Sequence, residues 1–411
     1  MSGKFANGVA FFEALTSTNN EIRSATEKYM NELKVADPAL LFNYCFEGVQ
    51  QPNAGIIQIA LFVIKRHFVV EKDEVPPAHK PQLCEFILKI VQTYGTTVLM
   101  NIGAEIMCGM AAGNKEYQSF LQQLVQICQS PDAKLRRFGL IAFETMTAGH
   151  LDPETVESYA SSFLTVFTGL LSDPEIQVRM QAVKTTSTFL VHIDNGDLLM
   201  KMGGVLGNLI TAMIEALNNN EDEGKSALES LITLTEWQPD IWNKYLSDII
   251  VVDSQIVGAT KFKEETRSEA IELVLAIAEG KKTEIRKLAE IKTAFFPAMM
   301  QMLAELDNKD SIEAWTRDEE DASSKLDPHS SAVSGISRLS NILGGKATAA
   351  LTESFIMNSV HSTEWTQRCA GILCIGTIAD ATKDVMIKDE AMKGLLRYAL
   401  FLSFVVWFYL T

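Results

Sequence analysis

The sequence predicts an all-α protein in which antiparallel helix pairs stack into a superhelical solenoid. Two observations favour this class. Apolar residues recur at helical spacing through almost every segment of the 411 residues, and the alternation typical of β-strands is scarce. In addition, an arginine followed three residues later by a small residue recurs in four predicted helices. We therefore expect one continuous array over residues 1–394 rather than the roughly two or three globular domains that this length otherwise favours.

The recurring arginine sets the repeat length. Arg136 and Arg179 lie 43 residues apart, and Arg179 and Arg267 lie 88 apart, which is twice 44. A period of roughly 40–47 residues with two helices in each unit is typical of HEAT and armadillo repeats. The interval to the fourth arginine, Arg368, is longer because an acidic insertion falls within it. The sequence thus predicts an α-solenoid of HEAT repeats.

We interpret these four arginines as structural residues. Each opens a second helix, where its guanidinium can reach an acidic residue of the neighbouring repeat, such as Asp132 or Asp173. The small residue three positions later lets stacked helices approach closely. Turns such as Ser172-Asp173-Pro174 separate the two helices of a unit, because proline suits a first helical turn. The predicted units cover residues 8–35, 38–70, 79–112, 114–148, 152–193, 198–236, 238–279, 283–345 and 346–381, with a partial tenth from 384.

One stretch departs from the repeat. Residues 305–327 carry nine Asp or Glu and three Lys or Arg, which gives a net charge of −6. The stretch falls inside the predicted eighth unit, between its two helices, where a HEAT unit normally has a short turn. It has too few apolar residues to bury itself, so we expect an exposed acidic loop. A solvated linker is the alternative interpretation.

Composition excludes several functions. The net charge is −16 and the pI is about 4.9, and an acidic surface repels nucleic acids and favours basic partners. The six cysteines are scattered within apolar helical patterns, which is typical of reduced core thiols. No His-Glu-x-x-His pattern occurs, and Gly224-Lys225-Ser226 lacks the first glycine of a phosphate loop. We therefore expect neither an enzyme, nor a cofactor, nor a metal site.

Residues 395–411 form an atypical apolar tail. The tail has no charge after Arg397, whereas the end of a solenoid is normally polar. The 14 uncharged residues are fewer than the roughly 18–20 that a membrane span needs. A truncated or misread gene end and a tail anchor are the two interpretations. Apart from this tail, membrane association is not expected.

Several runs resemble a known family. Glu313-Ala314-Trp315, Gly344-Gly345-Lys346 and the run Glu364–Leu373 are similar to the importin beta (karyopherin beta) family, and most similar to its importin beta-3 branch. The runs Asn20–Tyr29 and Phe62–Arg66 also resemble the first two units of that family. The resemblance covers about residues 9–394. Because members run to roughly twenty units, it implies that this chain corresponds to the N-terminal part of a nuclear transport receptor.

The resemblance also implies partners and sites. Family members bind the GTPase Ran, basic import cargo and Phe-Gly nucleoporins, and they move between cytoplasm and nucleus through the nuclear pore. Their second helices hold Ran and cargo, and in the first three units this points to Arg23, Glu27, Lys65 and Arg66 as Ran-facing residues. The acidic loop is implied to touch Ran and cargo through Asp307, Asp310, Glu313, Trp315, Asp318, Glu319, Glu320 and Asp321.

The first helices of the family bind Phe-Gly peptides in shallow apolar slots. Between units five and seven, this places Phe163, Phe167 and Leu206 near the expected slots. A HEAT-repeat scaffold for a multiprotein complex, with no GTPase contact, is the alternative function. The acidic insertion distinguishes the two, because a plain scaffold has no need of it.

Overall fold

The computed structural model describes residues 4–71, 75–113, 117–305 and 328–388, together with residues 393, 394 and 397. All regular structure within these residues is helical, and no strand occurs among them. The chain divides into two compact units, Met1–Leu198 and Leu199–Thr411. Each unit is a stack of helix pairs, as expected for an all-α solenoid of HEAT repeats.

In the first unit, each first helix is joined by a short turn to a second helix that packs against it. Such neighbours run antiparallel because the turns between them contain only a few residues. The second helix of the second pair continues as a π-helix over Ile64–Glu71, and a 3₁₀ turn over Pro77–His79 follows. The pairs are α1 Gly8–Leu15 with α2 Asn20–Ala36, α3 Pro38–Val49 with α4 Ala54–Val63, α5 Lys80–Tyr94 with α6 Thr97–Gly113, α7 Tyr117–Cys128 with α8 Ala133–Gly149, and α9 Pro153–Leu170 with α10 Ile176–Val191.

The second unit repeats this arrangement, except that the acidic insertion separates α17 from α18. Short helical segments connect some pairs: α11 Gly196–Met202, the 3₁₀ turns Gly203–Val205 and Pro239–Lys244, α16 Lys282–Ile285 and the π-helix Ile291–Phe295. The pairs are α12 Leu206–Asn219 with α13 Glu221–Trp237, α14 Leu246–Gly258 with α15 Glu264–Gly280, α17 Phe296–Leu303 with α18 Pro328–Leu343, and α19 Gly345–Val360 with α20 Trp365–Met386.

Side-chain caps explain where many helices begin. Asn19, Asn53 and Asp132 precede α2, α4 and α8, and each accepts hydrogen bonds from backbone amides of the first turn. Such a cap satisfies amides that have no partner inside the helix. Gly344 has a φ of 84° between α18 and α19, a left-handed conformation that glycine adopts without strain. These local signals fix the short turns that make the helices pair.

The second helices pack one on the next, α6 on α8 and α8 on α10 in the first unit, and α13 on α15, α15 on α18 and α18 on α20 in the second. Within a pair, the two helices approach closely at the small residue of the arginine motif. A Cβ atom added at Gly139 would lie 2.7 Å from the Cys128 Sγ atom, and one at Gly371 would lie 2.9 Å from the Ser359 Cβ atom. A larger residue there would push α8 from α7, or α20 from α19.

The core of the second unit contains one unusual group. Asp253, in the middle of α14, is fully buried, and neither carboxyl oxygen has a hydrogen-bond partner. Burial raises the pKa of this carboxyl well above its ordinary range. A buried acid without a partner is held neutral because ionising it away from water costs too much.

By length and composition alone, the segment Gly196–Asn219 is apolar enough to cross a membrane, with a mean hydropathy of 1.3. However, half of that window is buried within the protein. Core helices commonly show this property, so the segment is weak evidence for a membrane span.

Candidate functional site

Three of the four repeated arginines, Arg136, Arg179 and Arg368, close the turn that precedes their own helix. The Nη1 atom of Arg136 donates to the carbonyl oxygens of Ser130 and Pro131, at 3.0 Å each. Arg179 and Arg368 make the same pair of bonds to the carbonyls six and five residues earlier. These carbonyls lie where a first helix has ended and lacks intrahelical donors. The arginine thus ties the end of one helix to the start of the next.

Two of these arginines also reach the next repeat. The Nε and Nη2 atoms of Arg136 donate to the Asp173 carboxylate at 2.6 and 2.9 Å. This hydrogen bond raises the pKa of Arg136 above its usual value. The other expected partner, Asp132, caps α8 through the backbone amide of Lys134. A bidentate pair of this geometry links the fourth predicted unit to the fifth.

Arg267 makes the equivalent link at the acidic stretch. Its Nη1 and Nη2 atoms donate to the two carboxylate oxygens of Glu305 at 2.6 and 2.9 Å, and its Nε atom donates to the Val257 carbonyl at 2.7 Å. Arg267 is only 3% exposed. Glu305 is the first residue of the acidic stretch, and its ion pair with Arg267 of α15 neutralises its charge.

The other flank of the stretch is held by the same helix. Arg338 of α18 forms ion pairs with Glu272 and Glu279 of α15, with shortest distances of 2.7 and 2.9 Å. Glu305, which begins the insertion, therefore pairs with α15 through Arg267, and α18, the helix after the insertion, pairs with α15 through Arg338. Residues 306–327, with the eight candidate contacts from Asp307 to Asp321, lie outside the described residues.

The Ran-facing candidates lie on second helices, but most already have partners. Arg23 donates to Ser17 and Asn20 at the start of α2. Lys65 and Arg66 lie in the π-helical continuation of α4 and pair with Glu105 and Glu71. Glu27 is exposed on α2. Of the four candidates, Glu27 therefore has the carboxylate that is most accessible to a partner.

The three nucleoporin candidates are core residues. Phe163, Phe167 and Leu206 are buried, with at most 2% of their surface exposed. The Phe163 and Phe167 rings pack against Phe143 and Phe189, with centroid separations of 4.8 to 6.0 Å. The expectation that these side chains line exposed slots is wrong, because they form an aromatic cluster in the interior of the first unit or, for Leu206, the core of the second.

Apolar grooves between first helices occur elsewhere. In the first unit, a groove of about 180 Å³ between α5 and α7 is lined by Pro81, Cys84 and Phe120, with methionines of α6 at its base. Burial in this groove raises the pKa of the Cys84 thiol to about 11, so the thiol stays protonated. In the second unit, a groove of about 410 Å³ between α17 and α19 is lined by Met300 and Phe355, among others. Sequence reasoning missed both, because an exposed apolar residue on an amphipathic helix has the same spacing as a core residue.

Among the described residues, no three His, Cys, Asp or Glu side chains are placed to hold a metal ion.

Two family descriptions match the chain. "IPO5-like, TPR repeats" matches residues 99–252, and "Importin repeat" matches residues 259–350, which together make up more than half of the sequence. The chain belongs to the importin beta family. Within this importin, the 43-residue spacing between Arg136 and Arg179 is that of HEAT units, whereas TPR units repeat at roughly 34 residues.

Relatives of this importin agree in fold. Importin subunit beta-3 of Saccharomyces cerevisiae is 20% identical over 402 residues, a match that covers 92% of this chain and 36% of the relative. The crystal structure of Kap121p bound to RanGTP matches with a TM-score of 0.79 at 18% identity, covering 95% of this chain and 37% of that one. The crystal structure of Kap121p bound to Nup53p matches with a TM-score of 0.79 at 18% identity, and it covers 95% of this chain and 38% of that one. The chain thus spans a little over a third of the length of these relatives.

Proposed function

We propose that this chain is part of a nuclear transport receptor that binds Ran in its GTP-bound form, basic import cargo and Phe-Gly nucleoporins. It acts by binding and not by catalysis, and it moves between cytoplasm and nucleus through the nuclear pore. The observation that carries the proposal is the acidic insertion between α17 and α18, whose two flanks are held by α15. Support comes from Kap121p, which has this fold and has been solved with RanGTP bound.

Electrostatics gives the insertion its role. With Glu305 paired to Arg267, residues 306–327 carry eight acidic and three basic residues, a net charge of −5. A basic surface would be drawn to this charge over about a Debye length, roughly 8–10 Å at physiological salt. Attraction of this kind mainly raises association rates. The insertion therefore steers a basic cargo or a basic face of Ran toward this part of the chain.

Neutralising four neighbouring acids tests this role. We expect the variant D318N/E319Q/E320Q/D321N to bind Ran-GTP or a basic cargo more slowly at low salt, with affinity weakened by roughly 1–3 kcal/mol. Stopped-flow association rates at two salt concentrations measure the effect. The control variant E13Q/E85Q/E154Q/E284Q removes the same charge from exposed positions elsewhere. Equal rates for both variants and the parent chain would show that the insertion is a linker.

Nucleotide dependence tests the Ran contact itself. We expect immobilised chain to capture Ran loaded with GTP in preference to Ran loaded with GDP. Glu27→Lys, on the exposed face of α2, should weaken this capture, whereas Glu13→Lys on the first helix α1 should not. Equal capture of the two nucleotide states would favour the scaffold function instead.

The grooves between first helices are the proposed Phe-Gly sites. A phenylalanine ring fits an apolar slot of a few hundred Å³, and several weak slots together give useful avidity. In the second unit, Phe355→Ala should weaken binding of a Phe-Gly peptide at the groove between α17 and α19. Met357→Ala is the matched control, since Met357 is exposed on the same helix and does not line the groove. Equal losses from both variants would remove this groove from the proposal.

A further inference from the structure

The apolar position that follows the small residue of the arginine motif faces the next repeat. In α8 this position is Leu140, which is fully buried, and its carbonyl oxygen accepts a hydrogen bond from the Thr185 hydroxyl of α10 at 3.0 Å. In α15 it is Ile271, which is 2% exposed. A Cβ atom added at Gly335 of α18 would lie 2.8 Å from the Ile271 Cγ2 atom. The following second helix therefore covers this position in both places.

The equivalent residue of α20, Ile372, is only partly buried. It follows Gly371, the small residue of the motif, which packs on Ser359 and Val360 of α19. Ile372 lies about 100° further round α20, away from that contact. No second helix follows α20 among the described residues. The helix α20 thus leaves an apolar side chain partly uncovered on the face that meets the next repeat in α8 and α15.

The first helix of this pair is uncovered in the same direction. Phe355 of α19 lines the groove against α17, so its side chain faces the preceding pair. Met357 lies about 200° further round α19 and therefore faces away from α17, and it is 42% exposed. Just after α20, Ile387 is 66% exposed, although large aliphatic side chains are usually buried. We call Met357, Ile372 and Ile387 the end face.

The chain carries an apolar segment shortly after the end face. Residues 398–411, which lie outside the described residues, contain no charged side chain, and all but Ser403 and Thr411 are apolar. Helical structure resumes at Lys393, within seven residues of Met386, where α20 ends. A helix that follows another after so short a connection normally packs antiparallel to it. The apolar segment is therefore tethered within reach of the end face.

We propose that residues 398–411 fold back on the end face of their own chain and cover Met357 and Ile372, in the place that the first helix of a further repeat would take. A short tether gives such a segment an effective concentration in the millimolar range, which favours it over a second copy of the chain. Its 14 residues are fewer than the roughly 18–20 that a membrane span needs. The proposal is independent of Ran, cargo and nucleoporin binding.

Photo-cross-linking of the full chain tests the proposal. Phe404, near the middle of the segment, is replaced by p-benzoylphenylalanine, and the cross-linked peptides are identified by mass spectrometry after digestion. We expect cross-links to the peptides of α19 and α20 that contain Met357 or Ile372, in a product with the mass of one chain. A product with the mass of two chains would show that a second copy covers the end face. Cross-links that move to lipid when phosphatidylcholine vesicles are added would show that the segment enters a membrane. Either result overturns the proposal.

Variants on both sides of the contact complete the test. Ile372→Glu puts a charge where the segment packs, and we expect it to lower the cross-linking yield about tenfold. Val98→Glu is the matched control, because Val98 is 49% exposed in the first unit, and it should leave the yield unchanged. Phe401→Glu with Phe408→Glu should accelerate hydrogen exchange in α20 about tenfold, with unchanged helicity by circular dichroism. The proposal is overturned if Ile372→Glu and Val98→Glu give equal yields, or if the segment variant leaves exchange in α20 unchanged.

Discussion

The ion pair between Arg267 and Glu305 allows a quantitative test of how the acidic insertion is held. Substituting Glu305 by alanine leaves the Arg267 guanidinium, which is 3% exposed, with the Val257 carbonyl as its one remaining partner among the described residues. Removing one member of a buried ion pair typically costs about 3–5 kcal/mol. The Glu305 side chain is 24% exposed, so water replaces part of the lost interaction. We therefore expect Glu305→Ala to cost about 2–3 kcal/mol.

The effect should be local. In a repeat array, each unit is stabilised mainly by its neighbours, so hydrogen exchange should accelerate in α15 and α18 before it does elsewhere. Amide exchange followed by mass spectrometry and urea unfolding by circular dichroism measure the two effects. Asp222→Asn is the control, because it removes an ion pair to Lys263 in which both side chains are largely exposed. That variant should destabilise the protein less.

A double variant completes the test. Replacing both partners, as in Arg267→Met with Glu305→Gln, leaves no unpaired buried charge, so it should be less destabilising than Glu305→Ala alone. The reasoning fails if Glu305→Ala costs no more than Asp222→Asn, or if exchange in α15 and α18 is unchanged.

Two further predictions concern the core. The pKa of Asp253 is raised in the folded state, so the folded chain keeps a proton that the unfolded chain releases above about pH 4. The free energy of unfolding therefore falls by up to about 1.4 kcal/mol per pH unit as the pH rises above that value. Asp253→Asn should flatten this dependence in urea unfolding at pH 4 and pH 7, and an unchanged slope would contradict it. Gly139→Ala places a methyl group 2.7 Å from the Cys128 Sγ atom and should cost about 1–3 kcal/mol in thermal unfolding. Gly149→Ala, which meets nothing within 4 Å, should be neutral, and equal costs would refute the packing argument.

Local sequence features accounted for the repeat and for part of its linkage. The spacing of Arg136 and Arg179 predicts a helix pair of HEAT length, and an acid near a neighbouring turn is a natural partner for Arg136. The bonds of Arg136, Arg179 and Arg368 to the carbonyls of their own turns were not predicted. They depend on the position of the guanidinium beside a helix end, which the residue pattern does not contain.

Burial was harder to predict than helicity. Phe163 and Phe167 lie on an apolar stripe, and periodicity shows that such a stripe exists but not what covers it. In the structure, α8 and α10 supply Phe143 and Phe189 to cover the two rings. Similarly, Glu305 belongs by composition to the acidic stretch, yet its partner lies 38 residues away on α15. Such pairings depend on the stacking of repeats, which a single sequence does not specify.

The anchoring of both flanks on α15 has a consequence for how this importin can diverge. Once two ends are pinned at one helix, doubling the number of residues between them costs only about 0.6 kcal/mol of chain entropy. Insertions, deletions and changes of charge between Glu305 and Pro328 are therefore tolerated by the stack as long as Arg267, Glu305 and Arg338 keep their contacts. Selection can then change the acidity and length of this segment independently of the helix stack that carries it.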